Sequence, residues 1–406
     1  MIDRRQFLGG AGSAAAMLGG AAPFASPSRA FAATKTILPF DNGERPIVRY
    51  PQKRALIRHT ARPPQLETPF SVFDESLITP NDAFFVRYHM TLSPPDGLDP
   101  DTYRIAVKGK VNAPLNLSLA ALKSFPSIEI VAVNECSGNS RGFFNPRVAG
   151  GQLGNGAMGN ARWKGVPLKT VLDKAGIQAG AKQVVFNGYD APVLTQTPDF
   201  IKALDIDHAR DGEVMLAYEM NGSELPVLNG YPVRLIVPGY YGTYWVKHVS
   251  EIIVIDSVFD GFWMKTAYRI PSNACACVPI RTKPQQTVPI NRLNVRSFIT
   301  NLGNGSRVSA GREVLVRGIA FDGGYGMSKV LLSADGGRNW RDTVLDQDLG
   351  RYSFRGWRTM VRLKRGVHDL MVKAINRTGQ TQPAAPIWNP PGYMRNAIET
   401  VRVRAT

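Results

Sequence analysis

The sequence predicts an α+β domain followed by an immunoglobulin-like β-sandwich. Between about residues 82 and 285, short strand patterns alternate with a few helical ones. From residue 295 to 406, short alternating segments recur at the spacing of a sandwich. The proline-containing stretch Lys283–Gln286 separates these two sequence patterns. We therefore expect domains over residues 33–285 and 286–406.

The first domain is predicted to begin with an extended arm, because residues 33–75 are rich in proline, arginine and polar residues. Ser118 is a predicted N-cap for a short helix over Leu119–Lys123. The apolar residues of Val166–Ala175 recur with the period of an amphipathic helix. We predict strands at Ala83–His89, Tyr103–Gly109, Ile128–Val133, Gln183–Phe186, Val214–Tyr218, Val233–Val237 and Ile252–Ile255.

The second domain is predicted from alternating strands joined by glycine turns. Turns are expected at Asp322–Gly324 and Asp335–Gly337. Predicted strands are Glu313–Gly318, Lys329–Ser333, His368–Ala374 and Ile398–Val403. A sandwich of about seven strands is expected, serving interaction rather than chemistry.

The N-terminus has the order of an export signal. Arg4 and Arg5 precede an uncharged Gly/Ala-rich stretch, and Ala30-Phe31-Ala32 offers a small-x-small cleavage site. We predict a signal peptide over residues 1–32 that resembles a twin-arginine signal; a membrane anchor is the alternative. Because the twin-arginine route carries folded proteins, the mature protein is expected in the periplasm with a cofactor.

Composition fits a globular product of two or three domains, with 406 residues of which 44% are hydrophobic. The formal net charge is +17, yet no run of five or more Lys or Arg occurs. Nucleic acid is the usual partner of so basic a chain, but export disfavours it. The charge is expected to draw small anions or an acidic protein partner.

Cys136 carries the most specific chemistry. It lies in Asn134–Arg141, where Gly, Asn and Ser predict a tight exposed turn. A thiolate there is either a nucleophile or a ligand for a soft metal, and Arg141 would favour the thiolate or hold an anion. A buried inert cysteine is the alternative.

The other cysteines, Cys275 and Cys277, are separated by one residue. They could close only a small strained ring, so we expect packed thiols or at most a labile pair. No Cys-x-x-Cys-His motif is present in the sequence, so no covalently attached c-type haem is expected.

Two further patterns each have a functional and a structural interpretation. Gly154–Gly159 fits G-x-G-x-x-G literally, but no buried strand precedes it and no helix follows directly. A flexible glycine loop overhanging a pocket is therefore expected instead of a nucleotide site. Strand alternation places Arg87 and His89 on one face, where they could bind an anion or a cofactor. A structural histidine is the alternative.

Several motifs in order resemble the sulfite oxidase family of molybdopterin enzymes. They are Phe84–His89, Glu135–Asn139, Ala161–Trp163, Leu216–Gly222 and Asn229–Gly239. The resemblance covers essentially the whole mature chain. Within the family, the leader, the lack of a haem-binding domain and the length resemble the bacterial periplasmic sulfite dehydrogenases, which pass electrons to a c-type cytochrome.

The resemblance implies a residue set. Cys136 would be the protein ligand to molybdenum. The substrate pocket would contain Arg87, Arg141, Tyr268 and Trp163. The pterin and its phosphate would be held by Phe85, Arg87, His89, Asp190, Asn229, Arg234 and Lys247. The implied cofactor is Mo-molybdopterin, with no haem in this chain.

Three departures from the family pattern stand out. Asn229 replaces a common histidine, His248 replaces a frequent tryptophan, and the glycine-rich stretch Ala149–Met158 is longer than expected. Asn229 can still form hydrogen bonds at that position, and the long stretch would shape the pocket mouth or a partner surface.

The activity implied by the resemblance is oxidation of sulfite to sulfate by oxygen-atom transfer, with a c-type cytochrome as subunit or soluble acceptor. A heterodimer with that cytochrome and a homodimer through the sandwich both stay open. Two alternatives are a periplasmic methionine-sulfoxide reductase of the same superfamily and a non-catalytic binding protein. Paired arginines argue against the first, because a neutral sulfoxide needs no such charge.

Overall fold

The computed structural model describes residues 34–92 and 98–406. The predicted signal peptide at residues 1–32 lies outside the described residues and stays a prediction. Within the described ranges, no helix is both long enough and apolar enough to cross a membrane. Residues Thr34–Thr406 cluster as one compact unit, so the domain boundary near residue 285 also stays a prediction.

The N-terminal part, residues 34–289, is built mostly from short strands. These are β1 (Lys35–Ile37), β2 (Glu44–Val48), β3 (Leu56–Thr60), β4 (Gln65–Glu67), β5 (Val86–Arg87), β6 (Thr91–Leu92), β7 (Arg104–Gly109), β8 (Leu115–Ser118), β9 (Ile128–Glu135), β10 (Met158–Pro167), β11 (Gln183–Gly188), β12 (Asp190–Ala191), β13 (Lys202–Asp205), β14 (Met215–Met220), β15 (Ser223–Glu224), β16 (Arg234–Ile236), β17 (Val249–Ile255), β18 (Arg269–Pro271) and β19 (Thr287–Pro289).

Helices in the described residues are short. They are α1 (Leu119–Lys123), α2 (Leu168–Ala175), α3 (Ile206–Ala209) and α4 (Phe262–Lys265). Single 3-10 turns are found at Phe40–Asn42, Phe70–Asp74, Arg141–Phe143, Val227–Asn229 and Gly242–Tyr244. Strands therefore dominate this part, and its α+β class stays a prediction.

Three five-stranded sheets organise the N-terminal part. One has the order β1-β2-β3-β4-β5, and another has the order β13-β11-β17-β7-β8. The third has the order β15-β14-β10-β9, with β16 also paired to β14. Strands β9 and β10 run antiparallel with Glu135 opposite Met158, which sets the position of the turn that follows β9.

The C-terminal part, residues 290–406, holds two sheets. Its strands are β20 (Arg296–Ile299), β21 (Arg307–Val308), β22 (Glu313–Phe321), β23 (Met327–Ser333), β24 (Arg341–Asp342), β25 (Val344–Leu345), β26 (Arg355–Arg362), β27 (Gly366–Asn376) and β28 (Glu399–Ala405). The sheet orders are β20-β22-β26-β25 and β21-β28-β27-β23-β24.

Both of these sheets contribute to one apolar core. Val316 and Trp357 come from the first sheet, and Leu332, Leu370 and Val403 come from the second. The C-terminal part is therefore a two-sheet sandwich, which we call the C-terminal sandwich. Its immunoglobulin-like character stays a prediction.

Most predicted elements are present, with shifted ends. Ser118 accepts a hydrogen bond from the Ala121 amide and caps α1 as expected. The strand predicted at Ala83–His89 shortens to Val86–Arg87, because turns occupy the residues before it. The predicted helix Val166–Ala175 loses its first two residues to β10, where Val166 and Pro167 pair with β14.

The two parts pack into a continuous core. Phe298, Phe321 and Phe354 of the C-terminal sandwich belong to the same buried cluster as Phe73 of the N-terminal part. The ring of Phe73 contacts that of Phe354 at a centroid distance of 5.9 Å. This contact brings the sandwich against the strands that carry the predicted site residues.

Candidate functional site

One cavity collects most of the predicted site residues. The predicted residues that line it are Phe85, Arg87, His89, Cys136, Asp190, Asn229, Arg234, Lys247 and Tyr268. It is also lined by Asn134, Ser137, Phe200, Leu228, Gly242, Thr243, Trp245 and Val246.

Cys136 lies in the wall of this cavity directly after β9. Its amide donates to the Ala157 carbonyl at 2.9 Å, and its carbonyl accepts from the Asn139 amide at 2.9 Å. These bonds close the predicted tight turn. The prediction that the turn is exposed was wrong: Cys136 is a free, buried cysteine with 8% exposure, because residues of both parts cover it. The thiol faces the cavity and not bulk solvent.

Arg87 and His89 both line the cavity, as strand alternation predicted. Arg87 terminates β5, and its guanidinium donates to the Tyr88 carbonyl. Its own carbonyl accepts from Lys247 Nζ at 3.0 Å. The guanidinium is half-buried and stays available to an anion in the cavity.

His89 and Tyr268 form a hydrogen-bonded pair through Nε2 and the phenolic oxygen. The imidazole stacks on Phe200 at 4.2 Å between ring centres. Burial, with the nearby charges of Arg87, Lys247 and Lys202, lowers the pKa of His89 well below its usual value. Burial raises the pKa of Tyr268. Both groups are therefore neutral at pH 7, and the phenol is free to donate to another group when the His89 hydrogen lies on Nε2.

Buried positive charge concentrates at the side of the cavity formed by Arg234 and Lys247. Arg234 is only 6% exposed, and burial lowers its pKa to about 10. Burial also lowers the pKa of Lys247 to about 8, against the attraction of Asp190. Burial raises the pKa of the Asp190 carboxyl itself. An anion bound here would stabilise both cations.

Asn229 is tied to a lysine that the sequence analysis did not identify. Lys53 donates to its Oδ1, and its Nδ2 donates to the Phe85 carbonyl at 3.0 Å. Lys53 also donates to the Phe84 carbonyl at 3.0 Å, and burial lowers its pKa to about 7. The Asn229 side chain therefore fixes Phe85 and Lys53 together at the cavity wall.

Four cavity residues carry buried polar atoms without a protein partner among the described residues. These atoms are the Nε of Arg234, both amide atoms of Asn134, and the hydroxyl oxygens of Ser137 and Thr243. Buried polar groups without partners are rare in native proteins. Five such atoms on residues of one cavity fit a polar, hydrogen-bonding, anionic ligand such as a pterin phosphate.

Gly242 is required where the cavity wall approaches β9. A Cβ atom at this position would lie 2.3 Å from Asn134 Oδ1. The loop from Gly242 to Tyr244 can therefore pass close to Asn134 only because residue 242 has no side chain.

Arg141 and Trp163 do not line the cavity. Arg141 begins a 3-10 turn next to it, and its Nε donates to the Pro391 carbonyl at 3.0 Å. Trp163 is fully buried in β10, and its Nε1 donates to the Ala132 carbonyl at 3.1 Å. The Arg234 guanidinium lies 5.7 Å from the Trp163 ring centre. Trp163 thus supports a cavity residue from behind.

Lys202 is the second buried cation that the sequence analysis missed. It is fully buried in β13, and its Nζ donates to the Trp263 carbonyl at 2.6 Å. It also lies 5.4 Å from the Tyr268 ring centre. A lysine within the apolar run Phe200–Leu204 was the available signal.

Other expectations have definite outcomes. Cys275 and Cys277 form a disulfide, so they are the pair that was the second of the two expected possibilities and not packed thiols. An exposed turn held by Asn273 brings their Cα atoms to 5.1 Å, within disulfide range. His248 is a buried structural residue that hydrogen-bonds Tyr88 at 2.7 Å and the Tyr231 carbonyl at 2.6 Å.

The glycine stretch is tethered, contrary to the expectation of a flexible loop. The amides of Gly154 and Gly156 donate to the Glu67 carboxylate at 2.8 and 2.9 Å. Those amides are therefore not free to hold a phosphate, and neither residue lines the cavity.

Comparison with known proteins agrees with this geometry. The model of the oxidoreductase molybdopterin binding domain matches residues 91–263, and that of the Mo-co oxidoreductase dimerisation domain matches residues 287–406. Sulfite oxidase from Gallus gallus is 34% identical over 392 residues, covering 92% of this chain and 82% of the relative. Mitochondrial sulfite oxidase from Homo sapiens is 36% identical over 375 residues, covering 88% of this chain.

The chain spans 66% of the length of the human relative. Among solved structures, the sulfane dehydrogenase SoxCD from Paracoccus pantotrophus superposes with a TM-score of 0.71 at 24% identity. That match covers 84% of this chain and 87% of that chain, and it supports the fold.

Fold and matches together define a molybdopterin-binding oxidoreductase. The chain belongs to the sulfite oxidase family. In the described ranges, no group of three or more His, Cys, Asp or Glu side chains forms a metal site.

Proposed function

We propose that this protein is a periplasmic, molybdenum-dependent sulfite dehydrogenase that passes electrons to a c-type cytochrome. The observation that supports it best is one cavity containing a free thiol at Cys136, a guanidinium at Arg87 and a neutral phenol at Tyr268. A soft metal ligand, an anion-binding group and a hydrogen-bond donor are what oxidation of a small sulfur oxyanion requires.

The cofactor would be held by residues whose bonding the protein leaves incomplete. Arg234 and Lys247 would bind the phosphate, with Asp190 orienting Lys247 through charge. Ser137, Asn134 and Thr243 would take up the pterin's polar edges. When bound, the molybdenum cofactor supplies oxygen-atom transfer and the two-electron redox change.

Cys136 would ligate the metal, because a thiolate suits a high-valent, sulfur-rich centre. Its turn keeps the sulfur fixed, since both its amide and its carbonyl are bonded within the protein. No second protein thiol is needed in this proposal, and Cys275 with Cys277 form a separate disulfide.

Substrate binding would depend on Arg87 and Tyr268. Arg87 contributes fixed charge for an anion, and Tyr268 donates a hydrogen bond when His89 carries its own hydrogen on Nε2. Burial and nearby cations keep His89 neutral, so the imidazole can donate to the phenol while the phenol donates to the substrate, with no change of charge. The sulfite anion is thereby bound without a proton being taken up.

Electrons would leave singly to a separate acceptor, because the sequence carries no haem-attachment motif. A c-type cytochrome is the proposed acceptor, and the twin-arginine-like leader supports a periplasmic location. The C-terminal sandwich would form a homodimer or hold the cytochrome; the matched dimerisation domain supports the first.

The test is steady-state oxidation of sulfite with cytochrome c as acceptor, on protein with measured molybdenum content. Arg87→Gln is expected to raise the KM for sulfite about 10- to 100-fold, because a charge-assisted bond to the anion is lost. Arg58→Gln, which changes a residue of β3 outside the cavity, is the matched control and should behave as wild type.

Wild-type protein that carries molybdenum but reduces methionine sulfoxide and not cytochrome would contradict the proposal. Protein that carries no molybdenum after expression with the cofactor pathway would support a non-catalytic role instead.

A further inference from the structure

A segment of the C-terminal sandwich reaches the turn that carries Cys136. This segment is Trp388–Met394. The Met394 amide donates to the Ser137 carbonyl at 3.2 Å, and Trp388 Nε1 donates to the Pro146 carbonyl at 3.3 Å. The sandwich therefore touches the cavity wall directly.

Hydrogen bonds within the segment hold its backbone. Asn389 is fully buried, and its side chain binds both the amide and the carbonyl of Tyr393, at 3.0 and 2.9 Å. Met394 adopts φ of 60°, a conformation that a non-glycine residue holds only when its surroundings impose it. The ring of Tyr393 is thus presented in one position.

Arg141 is held by this segment. Its Nε donates to the Pro391 carbonyl, and its guanidinium carbon lies 5.1 Å from the Tyr393 ring centre. A Cβ atom at Gly138 or Gly150 would lie 2.7 or 2.8 Å from guanidinium atoms. Two glycines, two carbonyls (those of Pro391 and Gly151) and an aromatic ring therefore surround the half-buried guanidinium.

The same ring stacks on a cavity residue. The rings of Tyr393 and Tyr268 are 5.3 Å apart between centres and inclined by 10°. Tyr268 lines the cavity, whereas Arg141 lies beside it. The Tyr393 ring therefore contacts both Arg141, the second arginine of the predicted substrate pocket, and Tyr268, which lines the cavity.

We propose that Tyr393 is a positioning residue that sets the affinity of the site for a small oxyanion by fixing Arg141 and Tyr268. This inference rests on the proposed function, since sulfite and its product sulfate are the anions concerned. It also makes the C-terminal sandwich a part of the active site and not only an interaction domain.

The expected effects separate binding from turnover. Tyr393→Leu removes the aromatic face, so the KM for sulfite should rise about 5- to 30-fold, the range expected from a partly desolvated cation–π contact plus a ring stack. The kcat should change less than about threefold, because His89 still holds Tyr268. Tyr393→Phe keeps the ring and should restore most of the affinity.

The experiment measures kcat, KM and molybdenum content for these variants, and the dissociation constant of sulfate from the oxidised holoenzyme by calorimetry. The matched control is Tyr325→Leu, which removes another ring of the C-terminal sandwich whose centre lies 5.9 Å from an arginine, Arg292. Sulfate affinity should fall in Tyr393→Leu and stay unchanged in Tyr325→Leu.

Equal sulfite KM and equal sulfate affinity in wild type, Tyr393→Phe and Tyr393→Leu would overturn the inference. If Tyr393→Leu loses molybdenum, Tyr393→Met takes its place; loss from both would assign Tyr393 to stability alone and would equally overturn it. Failure of the proposed function is distinguishable, because then molybdenum-loaded wild type itself oxidises no sulfite.

Discussion

At the scale of single residues, the site is distinguished by cations that the protein buries without carboxylate partners at hydrogen-bond distance. Lys53 and Lys202 donate to carbonyls and an amide oxygen, and Arg234 donates to the Asn229 carbonyl. Burial is the main cause of the lowered pKa of each. Such groups lower the stability of the protein alone and favour a bound anion.

The burial of these cations gives the free energy of unfolding a defined pH dependence. Burial lowers the pKa of Lys202 from 10.5 to about 7. Between those values the unfolded chain binds more protons than the folded one, so the free energy of unfolding rises with pH over this window. Lys202→Met should remove that part of the rise, so its melting temperature relative to wild type should fall steadily as the pH is raised from 7 toward 10.5.

Thermal unfolding at several pH values across that window measures the difference. Lys110→Met, at a half-buried lysine that pairs with Asp256 at 3.1 Å, provides the control and should track wild type. A constant offset between Lys202→Met and wild type across the window would show that Lys202 is charged in the folded protein.

Residue roles were only partly readable from the sequence. The order of the family's motifs indicated nine of the cavity residues. It could not place Arg141 and Trp163 outside the cavity, since their side-chain directions are set by Pro391, Tyr393 and Ala132 from distant parts of the chain. Contacts of this kind leave no local pattern.

At the scale of elements, the key junction lies between β9 and β20. Glu135, the last residue of β9, forms a buried ion pair with Arg296 at 2.6 Å. Arg296 also donates to Ser140 and Glu399, at 2.9 and 3.1 Å. One arginine of the sandwich thus anchors the strand that presents Cys136.

Removing this anchor should be costly. Arg296→Met leaves Glu135 buried without its counter-charge, and loss of one partner of a buried pair destabilises by about 3–5 kcal/mol. Burial already raises the pKa of Glu135, and Arg296 opposes that effect, so the variant's carboxyl should become protonated at a higher pH than in wild type. Thermal unfolding measures the lost stability, and its dependence on pH reports the protonation of the Glu135 carboxyl.

The matched control is Arg317→Met, which breaks a more exposed pair with Asp74 at 2.8 Å, also between the two parts. It should cost about 1 kcal/mol or less. Comparable melting temperatures for the two variants would show that the Glu135–Arg296 pair contributes no special anchoring.

Elements themselves were largely predictable where periodicity was strong. Strands β7, β9, β11 and β22 and the cap at Ser118 follow from local patterns. The short strands β12, β15 and β24 could not be predicted, because two paired residues carry no periodicity. Their existence depends on partners elsewhere in the sheets.

At the scale of the whole molecule, function is shared between the two parts. The N-terminal part supplies the cavity, and the C-terminal sandwich supplies Arg296 behind Cys136 and Tyr393 beside Tyr268. The sequence predicted an interaction domain and missed this contribution, because Tyr393 belongs to an irregular segment with no motif of its own.

The charge of the chain is consistent with this division. A formal net charge of +17 creates a field that favours approach of anionic substrates and of acidic proteins. Within the cavity, Arg87, Arg234 and Lys247 outnumber Asp190, so the same sign of charge extends from the overall composition to the site. A basic chain and a basic cavity are together consistent with the proposed binding of small oxyanions.

The most direct test of the central claim is X-ray absorption at the molybdenum edge for wild type and Cys136→Ser, paired with sulfite-dependent cytochrome reduction. We predict that both proteins bind molybdenum, that the variant has one sulfur ligand fewer, and that its activity is lost while its fold is retained. Identical sulfur coordination in the two proteins, or full sulfite oxidation by Cys136→Ser, would contradict the account.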